Sequence, residues 1–159
     1  VSIDVVVEDD QSSHPVDVDR WGALARAVLA DEGVFGELSL RFVNEEEIAA
    51  LNLAHLGHVG PTDVLSFPIE DDPRSIVATG GAPLLLGDVV ICPAVALRNA
   101  PLHESTFDDE IALLVVHGVL HVLGMDHLVD AEAEEMEARE QVLLAAHHRG
   151  EPTPQLGTA

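Results

Sequence analysis

The chain of 159 residues has no lysine and no tyrosine, a single cysteine, a single tryptophan and only 3% aromatic residues. Each shortage excludes something. One cysteine, Cys92, rules out a disulfide within the chain. A reducing compartment, the cytoplasm, is therefore expected, with Cys92 a small buried residue rather than a reactive thiol. Seven arginines against 29 aspartates and glutamates leave a formal charge of −22. A field of that sign repels polyanions and opposes non-specific binding to nucleic acid. Scarce aromatics provide no stacking platform for bases. No apolar run reaches the roughly 18 residues that a membrane span needs. The acidic opening segment, Val1 to Asp10, lacks the basic start and apolar centre of a secretory signal.

What remains is enough for one folded unit. Apolar residues make up 47% and charged residues 23%, so a core is expected. Residues 1–150 are read as a single domain and 151–159 as a loose tail. Ser2–Glu8, Leu38–Val43, Thr62–Ile69 and Leu84–Cys92 have strand character. Helices are expected after Asp17 or Asp19, after Asn44, from Pro93 to about Leu102, after Ser105 or Thr106, and from near Asp130 to an end at His147, His148, Arg149 and Gly150. Asp71–Pro83, polar and containing Gly80 and Gly81, reads as a mobile loop. Interleaved strands and helices predict an α+β fold, with one four-stranded mixed sheet and about five helices. From Ile111 to Gly124 the only polar side chains are two histidines. That helix is apolar all round and belongs at the centre of the domain.

Those histidines carry the chemistry. His117 and His121 are four residues apart and share one helix face. Gly124 suits a left-handed helix end, after which the chain can fold back to bring His127 to the same point. Three imidazoles at one place fit a zinc ion with a fourth position left for water, the pattern of a catalytic zinc. Water held there loses its proton near neutral pH. The spacing H-x-x-x-H-x-x-G-x-x-H matches the metzincin peptidases except at one residue. Those enzymes carry a glutamate as general base directly after the first histidine, and Gly118 stands there in this chain.

His117-Gly-Val-Leu-His121-Val-Leu-Gly124-Met-Asp-His127, the block Pro61-Thr-Asp-Val-Leu-Ser-Phe-Pro68 and the block Leu86-Gly-Asp-Val-Val-Ile-Cys-Pro93 together resemble the YbeY family of bacterial rRNA maturation factors. The resemblance runs from about Val5 to Leu144. It implies a metal-dependent endoribonuclease directed at single strands, acting at the 3′ end of small-subunit rRNA and in ribosome quality control. It implies one Zn²⁺ on His117, His121 and His127. The partners it implies are the small ribosomal subunit, one of its proteins and an Era-type GTPase, with no membrane and no DNA. Many members carry an arginine six residues before the threonine of the second block, where this chain has Leu56, flanked by His55 and His58. Leucine can neither hold a phosphate nor stabilise developing negative charge.

The general base stays unassigned, with Asp63, Ser66 and Asp126 as candidates. Asp63 either orients a ligand histidine or serves as a turn residue after Gly60-Pro61. Asp126 either supports a ligand or caps the backbone after Gly124. Asp88 either packs against the site or ends a strand locally. Glu132, Glu134, Glu135 and Glu137 read as a solvated helix start. His14, His103, His147 and His148 have no partners by spacing. Two other functions stay open. One is a ribosome-assembly binding factor whose metal is mainly structural, which Leu56 and the acidity favour. The other is a metallohydrolase of another substrate class, a peptidase included.

Overall fold

The structure, a computed structural model, describes residues 2–69, 73, 84–125 and 129–149. The expected loop at 71–83 (all but residue 73) and the tail at 151–159 lie outside them, as do Asp126 and His127.

Among the described residues four strands form one sheet: β1 (Ile3–Asp10), β2 (Gly36–Val43), β3 (Val64–Pro68) and β4 (Leu85–Ile91). Their order is β1-β2-β4-β3. β1 and β4 both run parallel to β2, and β3 runs antiparallel to β4. The sheet is therefore mixed, and the α+β expectation holds. Among the described residues five α-helices accompany it: α1 (Val18–Asp31), α2 (Glu45–Leu56), α3 (Pro93–Asn99), α4 (Phe107–Val122) and α5 (Asp130–His147). The helix expected from Pro93 to Leu102 stops at Asn99, and a 3-10 turn takes over at Pro101–His103. Proline has no N–H to continue the α-helical ladder.

Local signals start the helices where polar side chains stand. The Asp17 carboxylate accepts from Arg20 N, the Asn44 side chain from Glu47 N and the Thr106 hydroxyl from Asp109 N. Each satisfies one of the backbone donors left over at a helix start. α1 turns Trp21, Leu24, Ala25, Val28 and Leu29 inward. They pack with Leu38, Leu40 and Phe42 of β2, with Leu86, Val89 and Ile91 of β4, and with α4 and α5. α2 and α3 join a second, smaller core of Val43, Ile48, Leu65, Val90, Cys92 and Val95.

α4 is the centre of the fold. Ten of its sixteen residues are buried, Glu110 and Gly118 among them. A helix in that position has neighbours on nearly every side, which is why its sequence is apolar all round. Gly87 shows why β4 carries a glycine. Its φ is +154°, and an added Cβ would lie 2.5 Å from the Phe67 carbonyl oxygen. The register between β2 and β4 also shifts beside it.

Candidate functional site

The last turn of α4 organises the site. Gly124 adopts φ +99°. Its N–H donates to His121 O at 3.0 Å, and Met125 N donates to Leu120 O at 3.1 Å. This pair of reversed bonds is the Schellman ending of a helix. It carries the Met125 carbonyl back beneath the histidine, so that His121 Nδ1 donates to Met125 O at 3.0 Å. One turn earlier, His117 Nδ1 lies 2.6 Å from Glu140 Oε2 on α5. The two rings are stacked, with planes 3° apart and centroids 6.5 Å apart.

An oxygen acceptor at Nδ1 demands a proton there, and in neutral imidazole the lone pair then sits on Nε2. Both histidines are thus held in the tautomer that offers Nε2 to a cation. The donor set fits zinc, whose histidine ligands characteristically give their other ring N–H to a carboxylate or a backbone carbonyl. His127 lies outside the described residues. Among those described, no three His, Cys, Asp or Glu side chains form a metal-sized group.

Glu140 also shifts the titration of His117. Its hydrogen bond raises the imidazole pKa above the ordinary value, burial opposes this, and the negative charges of Glu140 and Asp63 add to the rise. Asp63 is therefore an electrostatic neighbour of His117, and both line a cleft of about 320 Å³ with Val64, Leu113, Met136, Glu137 and Glu140. The Asp63 carbonyl accepts from Cys92 N at 2.9 Å, which ties the start of β3 to the end of β4. The Asp63 side chain accepts from Thr62 Oγ1 at 3.4 Å. Asp63 thus combines local hydrogen bonds near the start of β3 with an electrostatic influence on His117.

Ser66 is engaged elsewhere. Its hydroxyl donates to the Gly118 carbonyl at 3.1 Å and so clamps β3 to α4. Gly118 itself is a packing residue. A Cβ there would lie 2.5 Å from Val89 Cγ1, inside the sheet, and 3.4 Å from Ser66 Oγ. The position where peptidases of this spacing carry their glutamate is occupied by the sheet.

Leu56 ends α2 and is 53% exposed. His55 is exposed too, with its ring against Phe67 at 5.0 Å. The described arginines are committed elsewhere. Arg20 pairs with Asp108, Arg41 with Asp10 and Glu47, Arg98 with Glu45, and Arg139 with Glu32. Arg26 donates to the Ile3 carbonyl. Arg149 lies close enough to Asp109 to help lower its pKa. Every described arginine is thus engaged by the protein itself.

Cys92 is fully buried, and burial lifts its thiol pKa. It is an inert core residue, as expected. Glu132, Glu134, Glu135 and Glu137 are exposed, which also agrees with the sequence. Glu140 is what the sequence reading missed. It is 5% exposed, and the signal was its place on the apolar stripe of α5, four residues after Met136 and three before Leu143.

A mixed sheet backing a buried helix, with two oriented imidazoles on that helix and one of them beside carboxylates in a cleft, is the build of a small α+β hydrolase. The chain belongs to the endoribonuclease YbeY family, whose family model matches residues 6–148. Relatives named endoribonuclease YbeY include one from Thermobifida fusca, 42% identical over 94% of this chain and 96% of its own length. Another, from Chromohalobacter salexigens, is 45% identical over 86% of this chain and 84% of its own length. The solution structure of TM1509 from Thermotoga maritima matches 98% of this chain and 99% of its own, with a TM-score of 0.60 and 24% identity. At that identity it supports the fold. No described helix is long and apolar enough to cross a membrane.

Proposed function

We propose that the protein is a zinc-dependent, single-strand-specific endoribonuclease that matures the 3′ end of small-subunit rRNA in the cytoplasm and serves ribosome quality control. The observation that carries the metal-dependent reading is the pair of imidazoles on α4 whose Nδ1 atoms are both tied to oxygens, at 2.6 Å and 3.0 Å. His117 and His121 would hold the ion, and His127 is the third ligand in this reading. Zinc bound there supplies Lewis acidity toward a phosphoryl oxygen and lowers the pKa of water.

The chain's own groups do the rest. Glu140 and the Met125 carbonyl fix the ring planes. Asp63, on the cleft wall near His117, is the candidate proton acceptor, with Asp126 a further candidate beyond the described residues. The Ser66 hydroxyl is better suited to holding β3 against α4 than to chemistry. Val64, Leu113 and Met136 give the cleft an apolar wall. Its volume of about 320 Å³ lies at the small end of ligand pockets, which suits one nucleotide of an extended strand better than a duplex.

Phosphate charge is the difficulty, because Leu56 replaces the family arginine and the described arginines are engaged internally. In this reading the ion, solution cations or a basic partner such as a small-subunit ribosomal protein offset it, with an Era-type GTPase in the same assembly. The same facts favour a second reading, a ribosome-assembly factor whose zinc mainly stabilises the fold. A peptidase is disfavoured, because the sheet fills the space at Gly118 where its base would stand.

The test is cleavage of a single-stranded RNA spanning a small-subunit rRNA 3′ end, by zinc-loaded wild type and His117→Ala, with and without small subunits. Cleavage by the wild type that is lost in the variant is the expected result. A zinc-loaded wild type that cleaves nothing under either condition decides for the assembly factor.

A further inference from the structure

We infer that Glu140 is a positioning residue for the site: its carboxylate holds the His117 ring in the plane and tautomer that present Nε2 to the ion. The inference rests on the zinc reading above and extends it to a residue on another helix.

α5 faces the core with Met136, Glu140, Leu143, Leu144 and Ala145. Four of these five are apolar, and the fifth is a carboxylate whose side chain is 7% exposed. Packing alone would favour leucine there, since burying a carboxylate carries a large desolvation cost. A charge kept at such a place needs a partner, and the partner is His117 Nδ1 at 2.6 Å, a short, charge-assisted bond.

Geometry says what the pair accomplishes. His117 is in the middle of α4, so its Cβ is fixed by a buried helix, yet its side chain is 29% exposed at the cleft. The ring needs a second anchor to be held in one plane. His121 has its anchor in the backbone, through the Met125 carbonyl and the Gly124 turn. No such turn is within reach of His117, one helical turn earlier, and α5 supplies the anchor as a side chain. The two rings come out parallel, 3° apart, although one is oriented by a carboxylate and the other by a carbonyl. Each ring is thereby fixed in one orientation by an acceptor outside its own side chain.

The test uses the full chain with Glu140→Gln and Glu140→Leu. Leucine fits the apolar stripe, so that variant is expected to fold. Glutamine keeps an oxygen that can accept from Nδ1. Zinc affinity is measured by competition with a chromophoric chelator, and the His117 tautomer by its imidazole ¹⁵N signals, in zinc-free protein at alkaline pH and in zinc-loaded protein. The leucine variant is expected to lose about 10- to 100-fold in zinc affinity and to lose the Nδ1–H signature in the zinc-free state. The glutamine variant is expected to retain that signature and recover part of the affinity. A leucine variant that binds zinc as tightly as wild type and keeps the Nδ1–H form overturns the assignment of Glu140. A wild type that binds no zinc overturns instead the reading on which the inference rests, so the two failures are distinguishable.

Discussion

Two histidine–carboxylate pairs in this molecule use the same groups for different ends. His148, at the end of α5, has both ring nitrogens spent. Nε2 is 2.7 Å from Asp109 Oδ1, and Nδ1 is 3.3 Å from Arg20 Nη2. Its side chain is 5% exposed, and its ring lies 6.0 Å from that of Trp21. It is a strut that joins α1, α4 and α5. His117 spends Nδ1 on Glu140 and turns its ring to the cleft. A buried histidine beside a carboxylate is therefore no sign of chemistry in itself. The difference lies in the surroundings, because the His117 ring lines a cleft and the His148 side chain is 5% exposed, and a sequence does not display that.

The sharpest way to break the comparison is to remove a ring from each region. His121→Ala is expected to reduce zinc affinity and RNA cleavage by more than about 100-fold, beyond what loss of a supporting group costs. His148→Ala is expected to leave cleavage within about two-fold and to lower stability by about 1 kcal/mol, the worth of a typical hydrogen bond. Thermal melts and the cleavage assay read both variants. Equal losses of cleavage in the two would mean that the strut is part of the site.

The next effect is on packing behind the site. Gly118→Ala places a methyl group 2.5 Å from Val89 Cγ1. Either β4 or α4 must shift, at an expected cost of about 1–3 kcal/mol for overpacking, read by urea denaturation. Zinc-loaded and zinc-free protein should both lose stability, since the clash does not involve the ligands. A neutral Gly118→Ala would mean that the helix is not seated as closely on the sheet as described.

Much of this was legible beforehand, for reasons that are local. Alternation in Ser2–Glu8 and the caps at Asn44 and Thr106 act over a few residues, and a sequence records them directly. The helix from Ile111 to Gly124 announced its burial by having no polar face. Gly124 announced the left-handed ending. Glu140 went unread because it follows Glu132, Glu134, Glu135 and Glu137, which are exposed as expected, and only its phase on the helix sets it apart. Spacing gives His147 and His148 no partners because Asp31 and Asp109 are distant in the chain, and it does not show His103 reaching Glu110, seven residues on, across the turn before α4. Gly118 was read as the lack of a base, whereas the structure gives it a positive reason, the close approach of Val89.

The smallest effect concerns the strut alone and has a definite sign. The hydrogen bond from His148 holds the Asp109 carboxyl below its ordinary pKa, against desolvation, with Thr106 and the charges of His148 and Arg149 assisting. A carboxylate with a depressed pKa in the folded state contributes stability that is fully present above the unfolded value, about 3.9. It is lost as pH falls through the folded value. The Asp109 side chain is 54% exposed, so the contribution is screened and should stay below about 1 kcal/mol. Asp109→Asn is therefore expected to be slightly less stable than wild type at pH 6, with the gap closing as pH drops below about 4. Urea denaturation at pH 6 and pH 3, at low and high salt, measures it. A gap that widens in acid would reverse the assigned direction of the shift. Cleavage measured near pH 7 should not change, because Asp109 stands at the opposite end of α4 from the His121 turn, and a carboxylate that only braces helix ends has no part in orienting the imidazoles.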